Sequence, residues 1–194
     1  MNEISAERVV MGDPLSPTMS RCTARVADRA GKIEVAADLY EKALAAGDCS
    51  LERFLELALL YWQATDPGLA AAKTLPPDFL TKAEQRAREL LDEAHQAFSE
   101  STAVRFWMRY VRWADLGEPL GVEECRAMVA EDPTVLVPAM HVFAATQGQE
   151  MQAEAHELLR RCKEDGTTGA QYIASVIEAT IKRARHRPHT DASK

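Results

Sequence analysis

The chain has 194 residues, of which 46% are hydrophobic and 27% are charged, and it carries a formal net charge of −7. These totals fit one sizeable core or a short array of helix pairs, and the negative charge argues against a protein that coats nucleic acid. The charge is uneven, because the stretch from Thr180 to the end has a net charge of +4, which leaves −11 for the rest.

Cysteine usage and hydropathy indicate a reduced, cytoplasmic protein. Cys22, Cys49, Cys125 and Cys162 lie far apart without a Cys-x-x-Cys pair, which disfavours both a disulfide framework and a structural zinc site. The N-terminal residues lack the basic start and the apolar run of a secretory signal. No stretch of the sequence is apolar for long enough to span a bilayer.

Apolar residues recur with helical spacing along most of the chain, and Gly and Pro fall between these runs. We therefore predict an all-α domain over residues 19–187, with a flexible leader over 1–18 and a disordered tail over 188–194. Nine helices are expected, over Met19–Ala30, Ile33–Ala46, Leu51–Thr65, Lys82–Phe98, a fifth capped at 101 or 102 and reaching Leu116, Val122–Glu131, Val135–Gln147, Glu150–Glu164 and Thr168–Arg187.

Two signals mark helix starts, and a long connection lies between them. Ser50 is placed to cap the third predicted helix, and Thr81 with Glu84 has the spacing of a capping box at the start of the fourth. The intervening stretch, Asp66–Leu80, contains Asp-Pro-Gly and Pro-Pro-Asp, which predict turns. We therefore expect this stretch to be an insertion between two helices.

A pattern of small, large and small side chains recurs on alternate helices. Ala36, Tyr40 and Ala43 lie on one face of a helix, with room for a partner helix to approach at each Ala. Three later copies follow: Ala87, Leu91 and Ala94; Glu123, Ala127 and Ala130; and Ala155, Leu159 and Cys162. The offsets between copies are 51, 36 and 32 residues, and the insertion accounts for the long first offset. A two-helix unit of this length predicts a helical repeat.

The segment Gly31–Ala43, with Asp132-Pro133 as a closing turn, resembles the tetratricopeptide repeat (TPR) family. The resemblance covers Met19–Gly166, and Thr168–Arg187 resembles the capping helix that shields the last unit. It implies an α-solenoid of three to four stacked antiparallel helical hairpins, whose first helices line a concave groove for a partner. The first unit closes with Gly47-Asp48 and lacks the family's Pro, and a non-repeating helical bundle remains the alternative.

Motifs for catalysis or cofactor binding are not found in the sequence. Asp92–His95 reads Asp-Glu-Ala-His, as in a helicase box, but it lies within an amphipathic helix and no Gly-rich nucleotide-binding loop accompanies it. The five histidines lack zinc-site spacing, and there is no Gly-x-Ser-x-Gly elbow. We predict no cofactor and no metal, and we favour a non-catalytic protein over an enzyme whose site is assembled only by folding.

Arg105, Arg109 and Arg112 are spaced four and three apart, and we call this line of guanidinium groups the arginine row. Like charges at helical neighbours repel, so acidic groups are expected nearby. One hypothesis is that the row binds an acidic segment or a C-terminal carboxylate of a partner, which Arg can hold bidentately. The other is internal pairing. The acids considered for internal pairing are Glu56, Glu93 and Glu100.

An aromatic set lies on the third and fifth predicted helices: Trp62, Phe106, Trp107, Tyr110 and Trp113. It is either a recognition platform or a packing seam between two hairpins, and the spacing favours the seam. Trp62 and His141 are nevertheless kept with the arginine row as candidate partner-binding residues. The basic residues after Thr180 could contact phosphates, but they lack interleaved aromatics, and positive charge is also favoured at a helix C-terminus.

These features predict a protein-interaction module. Its partner would contribute a peptide, a helix or an acidic segment to the concave groove, with the arginine row giving orientation. Neither nucleic acid nor a membrane is expected as a partner. An adaptor fits this description, as does an antagonist such as an immunity protein that neutralises a basic toxin. The alternative is an enzyme or small-molecule sensor with a pocket in the concave face, and the oligomeric state is not predicted.

Overall fold

The computed structural model describes the backbone of residues 17–186 and the side chains of residues 23–186. All regular secondary structure in this range is α-helical, as predicted. The helices are α1 (Pro17–Arg29), α2 (Ile33–Ala45), α3 (Leu51–Ala64), α4 (Pro67–Lys73), α5 (Pro77–Ala97), α6 (Thr102–Leu116), α7 (Val122–Glu131), α8 (Val137–Ala145), α9 (Gln152–Asp165) and α10 (Thr168–Arg185). Residues 17 and 18 of the predicted leader belong to α1; the rest of the leader and the tail over 188–194 lie outside the described residues.

The first hairpin, α1 and α2, is built as the sequence indicates. Gly31 lies in the turn with a φ of +66°, a conformation that glycine adopts without steric cost. Ala36, Tyr40 and Ala43 are each 0% exposed, so the small–large–small face is a core face. The small side chains of the two alanines leave room for a neighbouring helix to approach α2 closely.

The predicted insertion contains more helix than expected. α4 begins after Asp66, whose carboxylate accepts a backbone N–H of the first turn at 2.9 Å, and α5 begins at Pro77. Proline suits a first helical position because the N–H that it lacks would be unsatisfied there. The capping box predicted at Thr81 and Glu84 is therefore wrong, since the Thr81 hydroxyl donates to the Pro77 carbonyl at 3.2 Å inside α5. Ser50 does cap α3, by accepting a backbone N–H at 3.4 Å.

The later copies of the small-residue pattern differ in whether their residues are buried. In the second copy Ala87 is 3% exposed and Ala94 is 0% exposed, and in the fourth copy Ala155 is 0% and Cys162 is 6% exposed. These small residues are buried, as the pattern predicts, whereas Leu159, the large residue of the fourth copy, is only partly buried. Small side chains are thus buried at corresponding places on α2, α5 and α9.

The prediction that the third copy forms a core face is wrong. Glu123, Ala127 and Ala130 are all exposed on α7. The helix instead buries a face made of Cys125, Met128 and Val129. Burying larger apolar side chains removes more apolar surface from water than burying alanines, so these residues decide which side of α7 faces inward.

Consecutive helices pack against one another along most of the chain. α1 contacts α2, α2 contacts α3, α3 contacts α5, and the sequence of contacts continues through α6, α7, α8 and α9 to α10. In addition, α10 packs against α8 and returns to α3. In a linear repeat array each unit contacts only its neighbours, so the return of α10 to α3 is an added, long-range connection.

A buried carboxylate fastens α10 to the first hairpin. Asp28 is 1% exposed and accepts hydrogen bonds from the Thr168 N–H at 2.8 Å and the Thr168 hydroxyl at 2.6 Å. Burial raises the pKa of Asp28, although these hydrogen bonds and one from the Tyr40 hydroxyl favour its ionised form. Nearby, Arg25 pairs with Asp165 at 2.6 Å. A carboxylate at the start of α10 also interacts favourably with the helix dipole.

Candidate functional site

The aromatic residues of α3 and α6 form a core with α10. The Trp62 ring lies 5.0 Å from the Tyr172 ring and 6.1 Å from the Tyr110 ring, and the Tyr110 and Tyr172 hydroxyls are 2.7 Å apart. Trp62 is only 9% exposed, and its indole N–H donates to Asp115 at 3.0 Å. Trp62 therefore packs in a seam between helices, and its polar edge is already occupied.

His141 of α8 is also buried, with 6% of its surface exposed. Its Nε2 lies 3.1 Å from the Leu120 carbonyl oxygen, and its ring packs edge-on against Trp113 at 5.0 Å. Burial lowers the pKa of His141, and this outweighs the opposing effects of the Leu120 carbonyl and the Glu124 charge. The side chain is thus positioned as a neutral core residue.

His141 should make the stability of the protein fall as the solution becomes mildly acidic. Because its folded-state pKa lies below the ordinary value of 6.5, the neutral ring contributes stability above pH 6.5 that is lost as the pH falls through the lowered pKa. Urea unfolding of the wild type and His141→Gln at several pH values measures this. The difference in unfolding free energy between the two proteins should shrink on acidification, and a constant difference would contradict the assignment.

Two members of the arginine row are paired internally. Arg105 lies 2.5 Å from Glu131, and Arg109 donates to Glu124 at 2.8 Å and to the Pro119 carbonyl at 2.7 Å. Both acids belong to α7, so the pairing fastens α6 to α7. Internal pairing was one of the two predicted outcomes, but the paired acids are not those considered; of those, only Glu100 acts on the row, through the attraction of its charge for Arg105. Glu56 instead pairs with Arg25, and Glu93 with Arg86 at 2.7 Å.

Arg112 differs from its two neighbours in the row. Among the described residues, no carboxylate lies within ion-pair distance of its guanidinium group. It borders a cleft of about 140 Å³ between α5 and α6, which we call the α5–α6 cleft. The cleft is lined by Arg88, Leu91, Asp92, Met108, Val111, Arg112, Asp115 and Leu116.

The charges around the α5–α6 cleft are only partly satisfied. Arg88 pairs with Glu84 at 2.8 Å, and Asp115 accepts the indole N–H of α3. Asp92 is exposed and, in the part of the chain that the structure describes, makes no ion pair. Of the charged residues that line the cleft, Arg112 on α6 and Asp92 on α5 make neither an ion pair nor a side-chain hydrogen bond within the described part of the chain. Part of the lining is apolar and is made by Leu91, Met108 and Val111.

The rim of the cleft is apolar at the end of α6. Leu116, which lines the cleft, is 65% exposed. Each residue of an α-helix is rotated by about 100° about the helix axis relative to the residue before it. Arg112 and Tyr110, which are two residues apart, therefore point in directions about 200° apart around α6. Since Tyr110 contacts α10, the Arg112 side of α6 is the side that faces away from α10.

Among the described residues, no group of three or more His, Cys, Asp or Glu side chains could hold a metal ion. Burial raises the pKa of the Cys125 thiol to about 12 and that of Cys162 to about 11, which leaves both thiols protonated near neutral pH. None of the helices within residues 17–186 combines the length and hydropathy needed to cross a membrane.

Comparison with known proteins gives no family assignment. No protein-family model, curated protein or solved structure matches this sequence. The α5–α6 cleft is therefore interpreted from its own geometry and charge.

Proposed function

We propose that this protein is an interaction module, built from TPR-like stacked hairpins, that holds a carboxylate-bearing segment of a partner protein in the α5–α6 cleft. One observation carries the proposal: Arg105 and Arg109 are neutralised by α7, whereas Arg112 has no acidic neighbour within ion-pair distance in the described part of the chain. A guanidinium group without an internal partner can grip a planar carboxylate through two N–H donors.

The surroundings of Arg112 narrow the chemistry of the partner. Asp92 and Asp115 also line the cleft, so a run of acidic side chains would be repelled. A single carboxylate, such as the one at the C-terminus of a polypeptide, would meet Arg112 with less repulsion than a run of acidic side chains. Leu91 and Met108 would then accept an apolar side chain of the same segment, and the exposed Leu116 would be covered.

The proposed surface differs from the concave groove expected in a TPR-like protein. In that arrangement the groove is lined by the first helix of each pair, which here are α1, α3, α6 and α8. α10 contacts α3 and α8, and its Tyr172 hydroxyl meets Tyr110 of α6, so the protein's own last helix already packs on that face. The outward side of α6 is therefore the better candidate for a partner.

The contacts between consecutive helices along most of the chain support the stacked-hairpin part of the proposal. So does the burial of the paired alanines on α2 and α5, since close approach of neighbouring hairpins requires small side chains there.

Arg112→Ala should remove partner binding without unfolding the protein. Tagged full-length wild type, Arg112→Ala and Arg109→Ala would each be used to capture proteins from the organism that encodes this sequence, with quantitative mass spectrometry of what is retained. We expect one protein to be retained by the wild type and reduced about tenfold or more by Arg112→Ala, since a charge-assisted contact is lost.

Arg109→Ala is the matched control, because it lies on the same helix but binds Glu124 internally. It should lower the free energy of unfolding by about 1 kcal/mol or less, as expected for a partly exposed pair, and should retain the partner. Equal retention by all three proteins, or no protein retained above a tag-only control, would reject the proposal.

A further inference from the structure

A second cleft, between α9 and α10, has a basic rim and an apolar floor. It has a volume of about 540 Å³, and we call it the α9–α10 cleft. Leu159 and Ile181 form the floor and are partly buried. The rim carries three cations, Lys163, Lys182 and Arg185, together with His156, His186 and one acid, Glu178. The residues that α10 contributes recur every three or four positions, so they form one continuous stripe along the helix.

Positive charge on this rim is not balanced by the rest of the molecule. Lys163 pairs with Glu178 at 2.7 Å, but Lys182 and Arg185 are exposed, and no ion pair to either is found among the described residues. Elsewhere on α9 the arginines are neutralised, as Arg160 is by Glu157 at 2.8 Å. In a protein of net charge −7, this cleft is a place where cations remain available to a partner.

We infer that the α9–α10 cleft docks an acidic amphipathic helix of a partner protein, a surface separate from the α5–α6 cleft and independent of the function proposed for it. Apolar side chains of the incoming helix lie on Leu159 and Ile181, and its carboxylates meet Lys182 and Arg185. The α10 stripe from Glu178 to Arg185 is about 10 Å long, which matches about two turns of a partner helix. A helix lying in a groove is a common form of peptide recognition.

The same features disfavour other polyanions. The floor residues Leu159 and Ile181 are aliphatic and offer no aromatic face on which nucleobases could stack, and the only aromatic rings that line the cleft are the imidazoles of its rim. The acidic remainder of the molecule repels a long, uniformly charged strand or surface, whereas a short helix with two rows of carboxylates contacts only the cleft.

The test uses two labelled probe peptides with the full-length protein. One is a fluorescein-labelled helical peptide with leucines four residues apart between rows of glutamates, and the other has glutamine in place of each glutamate. Fluorescence anisotropy at low salt should give about tenfold tighter binding of the glutamate peptide, because two exposed charge pairs together contribute about 1.4 kcal/mol. Lys182→Glu/Arg185→Glu should weaken the binding of the glutamate peptide by at least the same factor.

Lys32→Glu/Lys42→Glu is the matched control, since it makes the same change in net charge at exposed lysines of the first hairpin. This control should leave the affinity for the glutamate peptide within about twofold of wild type. Several results would overturn the inference: equal affinity for both peptides, equal losses in both double variants, no binding of the glutamate peptide, or tighter binding of oligothymidylate or of anionic phosphatidylserine vesicles. Concentration-dependent self-association that Lys182→Glu/Arg185→Glu abolishes would replace the partner helix with a second copy of this protein.

Discussion

Arg53→Met should lower the free energy of unfolding by about 3–5 kcal/mol, because it removes one member of a buried ionic group. The Arg53 side chain is 0% exposed, and its Nη2 lies 2.9 Å from an Asp48 carboxylate oxygen. Its Nη1 lies 3.5 Å from Glu56, and its guanidinium carbon is 4.7 Å from the centre of the Tyr40 ring. Methionine would fill much of the same volume while leaving Asp48 and Glu56 without this cation.

Guanidinium chloride unfolding at pH 7 measures the effect, with Arg160→Met as the control. Arg160 also pairs with two acids but is exposed, so its replacement should change the unfolding midpoint little. Burial opposes ionisation of Asp48, yet hydrogen bonds from Arg53 and Ser50 bring its pKa below the ordinary 3.8. Stability from that contact is present above pH 3.8 and is lost at lower pH, so the difference between wild type and Arg53→Met should shrink on acidification. A loss no larger than that of Arg160→Met would refute the structural role of Arg53.

Asp28→Ala should destabilise the protein by about 3 kcal/mol, since it leaves buried donors without an acceptor. The donors are the backbone N–H and hydroxyl of Thr168, at 2.8 and 2.6 Å, and the Tyr40 hydroxyl at 3.3 Å. Asp28→Asn keeps an oxygen acceptor and should cost about 1 kcal/mol. In Asp28→Ala, the contact between α10 and the first hairpin should be the part of the structure that is weakened most.

Hydrogen–deuterium exchange can localise the effect of Asp28→Ala. Amides of α10 should exchange faster in this variant than in wild type, because opening of the contact with α1 frees the start of that helix. Asp38→Ala, at an exposed position of α2, is the control and should leave exchange in α10 unchanged. Unaltered exchange over residues 168–185 in Asp28→Ala would mean that the carboxylate does not hold α10 in place.

Local structure was the part of the fold that could be predicted from the sequence. Ala36, Tyr40 and Ala43 identified a core face because helical periodicity directly reports which side of a helix is apolar. Ser50 was recognised as a cap for a similarly local reason. Pro67 and Pro77 were misread as turn residues, since proline is favoured both in turns and at the first position of a helix, and the sequence alone does not distinguish the two.

Long-range contacts could not be predicted in the same way. The bond from Asp28 to Thr168 joins residues 140 positions apart, and no periodic pattern encodes such a pairing. The partners of the arginine row show the same limit: acidic neighbours were expected, but their identity as Glu124 and Glu131 follows from how α7 packs on α6. Arg112 is the member of the row without an acidic partner among the described residues, and this difference from Arg105 and Arg109 follows only from the structure.

The most direct test of the proposed binding surface is hydrogen–deuterium exchange of the wild-type protein with and without the partner captured through Arg112. If the partner occupies the α5–α6 cleft, amides over residues 88–92 and 108–116 should become more protected on binding, while those of α3, α8 and α10 should change little. Protection confined to α3 and α8, with faster exchange in α10, would mean instead that the partner displaces the last helix from the inner face, and the assignment to the cleft would be wrong.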